Sequence, residues 1–229
     1  MTNIVLASNN KKKIAELETL LADSTSDMVK VVSLRDIGFT DDIVEDGNSF
    51  EENALIKAGT PAKLGHIGIA DDSGLAVDYL DGAPGIYSAR YSGEGATDES
   101  NRVKLLNALE GVPTEQRSGK FVCVAALVLP EGTSFTIPEE WRISDELSAK
   151  SGIPAERAMV VRGECKGIIL TKEQGNGGFG YDPLFYYPEF GETFAEISGE
   201  RKNLVSHRGN AMREFTARIK TILENNGDN

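Results

Sequence analysis

Ile4–Leu21 reads IVLASNNKKKIAELETLL. Ile4–Ala7 is an apolar strand and Ser8-Asn9-Asn10 a polar turn. From Lys11 to Leu21 the apolar positions Ile14, Leu17, Leu20 and Leu21 recur at helical spacing. The chain therefore opens strand, turn, helix. Working outward, Val29–Ser33 reads as a second strand, and Ser49-Phe50-Glu51-Glu52 is a capping box. The helix it opens carries Ala54, Leu55, Ala58 and Ala62 on its apolar face. Ile67–Ala70 is a strand running into an Asp71-Asp72-Ser73-Gly74 turn, with Leu75–Val77 as a further strand after it. Gly82-Ala83-Pro84-Gly85 is a loop, and Thr97 caps a helix through Leu109 that Gly111 and Pro113 stop. Phe121–Leu129 is a buried strand, and Met159–Arg162 and Gly167–Leu170 are two more. Gly175–Gly180 is a glycine-rich loop. Ser206 caps a last helix that turns Ala211, Phe215, Ile219 and Ile222 inward. Strands and helices alternate first, then strands dominate, which predicts an α/β fold with a mixed sheet rather than a doubly wound one.

A chain of 229 residues suits one large domain, or two lobes sharing one sheet. With 40% hydrophobic and 26% charged residues it reads as globular. Lysine and arginine number 24 against 36 acidic residues, a net charge of −12. That balance excludes non-specific binding to a nucleic-acid polymer or an anionic membrane, which needs a basic face. The four-residue apolar run near the start, followed by lysines, lacks the pattern of a signal peptide. The longest apolar run, Phe121–Leu129, has nine residues, about half a membrane span. Cys123 and Cys165 are too few for a disulfide framework or zinc cage and read as buried thiols in a reducing cytoplasm.

Four segments carry chemistry. Lys11, Lys12 and Lys13 fall in the first turn of a helix, the end at which cations are disfavoured. Free N–H groups there, after Ser8, Asn9 and Asn10, make an anion site, although the P-loop spacing is absent. Ser206-His207-Arg208 repeats the arrangement, with Lys202 just upstream, whereas His66 in its Gly-rich turn reads as structural. Asp71-Asp72-Ser73-Gly74 places carboxylates at a strand end. If strand geometry continues there, one of the two aspartates faces a given site. Mg²⁺ takes one or two such carboxylates and keeps water and phosphate oxygens otherwise, and Glu45 or Asp46 would add another. Gly175-Asn176-Gly177-Gly178-Phe179-Gly180 formally matches GxGxxG, but Pro183 and Phe185-Tyr186-Tyr187-Pro188 follow where a helix should, so the dinucleotide fingerprint fails. What remains is a loop presenting Phe179 and Tyr181 to a flat ligand, or a tight bend packing aromatics into the core.

SNNKKK, SFEENALIKA, ADDSGLAVDYLDGAPGIYSARYSG, GNGGFGYDPLF and ERKNLVSHRGNA together resemble the inosine/xanthosine triphosphate pyrophosphatase family, the house-cleaning hydrolases of non-canonical purine nucleotides. The resemblance covers most of the chain. It implies a single domain over 1–229: a long mixed sheet flanked by helices, in two lobes with a nucleotide cleft between them, in a cytoplasmic homodimer. It implies hydrolysis of ITP, dITP and XTP to the monophosphate and pyrophosphate with Mg²⁺. Asp72 matches the metal-linked general base, Glu45 a second metal carboxylate and Ser73 a substrate contact. Ser8, Asn9, Asn10, Lys11, Lys12 and Lys13 match the phosphate loop. Phe179, Gly180, Tyr181 and Asp182 match the nucleoside-contacting loop, and Lys202, His207 and Arg208 the C-terminal substrate contacts. To tell a 6-oxo purine from adenine the site needs a donor, from backbone N–H groups of the GFGYD loop or from His207 and Arg208.

Two departures stand out. Asn9 occupies a position that is commonly glycine in the family. Pro130–Ala158 lies where the family has a short connection, and its reading is a surface excursion with a short helix over Ser144–Lys150, against a lid or partner-binding element. A nucleotide sensor without turnover and a pyrophosphatase for other modified nucleotides are the competing functions.

Overall fold

The computed structural model of the protein describes residues 2–8, 14, 15, 17–19 and 29–225. Among the described residues seven strands form a mixed sheet in the order β2-β1-β3-β4-β5-β6-β7. They are β1 (Thr2–Leu6), β2 (Val29–Ser33), β3 (Ile67–Val77), β4 (Ser118–Val128), β5 (Ala158–Ile169), β6 (Phe185–Tyr187) and β7 (Glu192–Thr193). β1 runs parallel to both neighbours, with Ile4 opposite Val31 on one side and Ile67 on the other. β6 is antiparallel to both β5 and β7. The helices are α1 (Phe50–Lys63), α2 (Asp98–Ala108), α3 (Asp145–Ser151), α4 (Gly199–Val205) and α5 (His207–Glu224). Residues 14, 15 and 17–19 are helical as their spacing predicts. Asn9–Lys13 lie outside the described residues.

The chain divides into two compact units. The first comprises Met1–Asp72, Val124–Val161 and Met212–Asn229; the second, Ser73–Cys123 and Arg162–Ala211. Each has its own core. In the first, Phe215, Ile219 and Ile222 of α5 pack with Ile4, Ile69 and Leu127 of the sheet. In the second, Leu105 and Leu109 pack with Leu75, Phe121, Phe185 and Phe194. Cys123 and Cys165 are both buried.

Two expected breaks are absent. Asp71–Gly74 is not a turn: β3 passes straight through it as one strand of 11 residues. The strand end is held from outside, because Ser88 Oγ accepts the Leu75 N–H (2.8 Å) and Val77 N–H donates to Ala83 O (3.1 Å). Likewise β5 is one strand of 12 residues, not two. Gly163 marks a close approach there, since an added Cβ would lie 2.2 Å from His207 O and 2.5 Å from Ala211 N. At Gly68 an added Cβ would lie 1.9 Å from Ala58 O, so α1 rests directly on β3.

The 130–158 segment is tied to the first unit. Ile137, Ile143 and Ile153 are buried. α3 packs on α1, and the Arg218 guanidinium lies over the Trp141 ring at 5.3 Å. The helix expected at Ser144–Lys150 is Asp145–Ser151, with Ser144 Oγ accepting the Leu147 N–H at 3.2 Å.

Candidate active site

In the first unit, three residues build an ionic array. Ser49 Oγ caps α1 by accepting the Glu52 N–H (3.1 Å). The Glu52 carboxylate accepts from Asn48 N (2.7 Å), one residue earlier than a capping box requires. Buried Asn53 accepts the Gly47 N–H at 2.9 Å. Those two bonds fasten the segment after Glu45 onto the first turn of α1. Lys57, two turns along the helix, places its Nζ 2.9 Å from Glu45 Oε2 and 2.7 Å from Asp72 Oδ1. Only 12% of the Lys57 side chain and 13% of that of Asp72 are exposed, so water screens the pair little. Burial pushes the Asp72 carboxyl up, against the pull of the Lys57 ammonium. Burial also pulls the Lys57 ammonium down, but Asp72 and Glu45 outweigh it and hold it above the usual lysine range. Of the two acidic candidates before α1, Glu45 is the one joined to Asp72, and Asp46 is exposed.

Within the second unit a pocket of about 170 Å³ is lined by Ser73, Ser88, Phe121, Phe179, Tyr181 and His207, among others. It would take one flat ring system. The His207 imidazole, at the first position of α5, lies on the Phe121 ring with centroids 4.8 Å apart and planes 15° apart. Tyr181 is buried and donates from its hydroxyl to Ser88 O (2.8 Å), so it forms wall, and burial pushes its phenol up. Phe179 is 73% exposed. Of the two aromatics expected to meet a flat ligand, Phe179 is therefore the one with a face to offer.

The loop that carries them is fastened twice. Asp182, 2% exposed, accepts from Phe179 N (2.9 Å) and pairs with Lys202 Nζ (2.6 Å). Lys202 also sits 4.6 Å from the Phe179 ring centroid. Gly180 N–H donates to Asp98 Oδ2 (2.7 Å), and Gly180 O accepts from Arg102 Nη1 (2.9 Å). The N–H groups of Phe179 and Gly180, expected as readers of the base, are thus already given to carboxylates. His207 lines the pocket, and Arg208 is the next residue of α5.

The remaining candidates are placed as follows. Ser8 follows β1, its N–H donating to Leu6 O at 2.7 Å. Asn9, Asn10, Lys11, Lys12 and Lys13 lie outside the described residues. Ser73, on the pocket, is joined to Asp72 by one peptide bond of β3. Sequence reasoning missed Lys57, Phe121, Asp98 and Arg102. Lys57 had a signal: at helical spacing it falls in the arc of Phe50, Ala54 and Pro61, where a lysine needs a carboxylate.

Among the described residues no group of three or more His, Cys, Asp or Glu is assembled as a metal site. Glu45 and Asp72, which both reach Lys57 Nζ, are the two carboxylates that could hold one divalent cation. Two carboxylates with open positions for water and phosphate oxygens suit Mg²⁺. No helix among the described residues is long and apolar enough to cross a membrane.

A model of the Ham1 family matches residues 4–218. The dITP/XTP pyrophosphatase of Desulforamulus reducens is 44% identical over 212 residues, 92% of each chain. That of Desulfotalea psychrophila is 45% identical over 222 residues, 96% of this chain and 86% of the relative. The solved structure of a HAM1 protein from Coxiella burnetii superposes with a TM-score of 0.80 at 37% identity, covering 96% of this chain and 100% of that one. With a family match spanning nearly the whole sequence, the same sheet, and relatives aligned almost end to end, the chain belongs to the Ham1 family.

Proposed function

We propose that this protein hydrolyses non-canonical purine nucleoside triphosphates (dITP, ITP and XTP) to the monophosphate and pyrophosphate. The observation that carries the reading is the aromatic pocket with His207 on its wall, whose lining residue Ser73 follows Asp72 in the chain. The relatives' activity points the same way.

The base enters the pocket between the exposed Phe179 ring and the polar wall that His207 provides. His207 and Arg208 supply donors for the 6-oxo group. A site built on such donors rejects adenine, whose amino group leaves them unpaired. Lys202, Arg208 and the Ser8–Lys13 segment supply positive charge for the phosphates. In the net reaction, one water oxygen bonds to phosphorus, the anhydride bridge between the α and β phosphates breaks, and pyrophosphate leaves. Asp72 orients that water and takes its proton. Lys57 holds Asp72 and Glu45 at one point. Glu45 and Asp72 would hold Mg²⁺, which when bound neutralises phosphate charge and polarises the reacting bond. The enzyme works in the cytoplasm as a homodimer.

A substrate panel tests the reading, with pyrophosphate and orthophosphate measured separately for dITP, ITP, XTP, GTP and ATP. Pyrophosphate is expected from dITP, ITP and XTP at kcat/KM about 10² or more above ATP, with GTP also below the three. Equal turnover of all five would overturn the base assignment. Orthophosphate in place of pyrophosphate would overturn the bond assignment, and tight binding without either product would leave a sensor.

A further inference from the structure

The GNGGFGYD segment has four glycines in six residues, Gly175–Gly180. Such a stretch has more backbone freedom to lose than any other composition, so it cannot by itself hold an aromatic ring in one place. Asp182 and Lys202 fasten one side of it. The other side is fastened by a helix to which no substrate contact has been assigned. Asp98 and Arg102 lie one turn apart on α2, hence on one face. They take the N–H and the C=O of the same residue: Asp98 Oδ2 accepts the Gly180 N–H at 2.7 Å, and Arg102 Nη1 donates to Gly180 O at 2.9 Å.

Both grips are themselves fixed. Arg102 Nε donates to Glu173 Oε1 (2.8 Å), and only 15% of the Arg102 side chain is exposed. The start of α2 is closed by a Thr97–Ser100 capping box. Between the two grips in sequence, Asn101 is 3% exposed; it accepts the Ser92 N–H (2.7 Å) and donates to Ala89 O (3.1 Å). The helix is therefore anchored to the segment that carries Ser88, part of the pocket wall. Asp98 and Asn101 also line the pocket. Gly180 has φ +58° with open space around its α-carbon, so the loop bends there without packing to hold it.

We propose that Asp98 and Arg102 are positioning residues for base recognition: by gripping Gly180 from both sides they hold the neighbouring Phe179 ring at the pocket, so that the base meets a preformed surface. The inference rests on the pyrophosphatase reading above. Preformed surfaces gain affinity because little ordering is left to do on binding. Loss of the grip should weaken ground state and transition state alike, raising KM and sparing kcat.

The test uses the full chain and three variants, Asp98→Ala, Arg102→Ala and Asp98→Asn, with ITP as substrate. Each alanine variant is expected to raise KM about tenfold with kcat within about twofold, because a hydrogen bond to a charged group is lost. Asp98→Asn keeps an oxygen that can accept the Gly180 N–H and should restore most of the wild-type KM. Hydrogen exchange of the loop without nucleotide gives a readout independent of turnover: exchange at Gly180 should quicken in Asp98→Ala and not in Asp98→Asn. KM unchanged in both alanine variants, or kcat falling in step with a lowered Tm, would overturn the proposal. If the wild-type protein released no pyrophosphate from ITP, the function would fall, while exchange at Gly180 would still decide whether Asp98 holds the loop.

Discussion

Removing Lys57 would leave Glu45 and Asp72 facing one point with no counter-charge, since its Nζ lies 2.9 Å and 2.7 Å from them. Breaking a buried pair costs more than the pair itself contributes, because the remaining charge stays desolvated. Lys57→Met is therefore expected to lower stability by about 3 kcal/mol in urea unfolding. Asp72→Asn should behave differently. Lys57 keeps Glu45 as partner, so the fold should tolerate the change, but the proton acceptor is gone. We expect kcat for pyrophosphate release to fall by about 10²–10⁴. Near-full turnover at saturating Mg²⁺ would exclude Asp72 as the base. At this scale Asp72 and Glu45 were named through the family resemblance, whereas the strand end expected at Asp72 is the interior of β3. Lys57 is less legible, because it lies beside the apolar stripe of Ala54, Leu55, Ala58 and Ala62 on α1. Asp98 and Arg102 had no such signal: on α2 they read as a solvated helix face, and only the long-range approach of Gly180 gives them partners.

Two glycines set how closely helices sit on strands. At Gly68 a Cβ would lie 1.9 Å from Ala58 O, and Ala58 follows Lys57 on α1. Gly68→Ala must push α1 off β3 and carry Lys57 away from Asp72. We expect about 3 kcal/mol of destabilisation by urea titration, with activity per folded molecule lowered as well. Gly163→Ala meets His207 O at 2.2 Å and Ala211 N at 2.5 Å, and so shifts the first turn of α5. Its signature should be a raised KM for ITP, because His207 and Arg208 move with that turn. An unchanged KM would separate them from base reading. These contacts also explain where sequence reading failed. Asp71–Gly74 and Gly163–Lys166 contain the residues that punctuate isolated strands. Here Ser88 and Ala83 supply hydrogen bonds to β3 beyond the first, and α5 explains the glycine in the second. β6 and β7, of three and two residues, exist through pairing, which no local pattern encodes. α1 and α5 were legible because burial of one face is written in residue spacing, and α2 because Thr97 caps its start and Gly111 and Pro113 follow its end.

For the molecule as a whole, the charge of −12 disfavours a nucleic-acid polymer or an anionic membrane but not one small anionic ligand. A sum is a poor guide because placement decides: Lys57 is held by Glu45 and Asp72 in the first unit, and Lys202 by Asp182 in the second. The division into units makes a different demand. Their boundaries fall inside β3, β4, β5 and α5, after Asp72, Cys123, Val161 and Ala211, so three unbroken strands and one helix belong to both. A break in one unit frees strand ends in the other, and unfolding should be one cooperative transition. The chain carries its own probes for this. Its single tryptophan, Trp141, packs against the core of the first unit. All six tyrosines, at 79, 87, 91, 181, 186 and 187, belong to the second. Thermal melts followed by Trp141 fluorescence and by near-ultraviolet tyrosine dichroism should have the same midpoint. Midpoints several degrees apart would mean that each core melts by itself, and that strand continuity does not couple them.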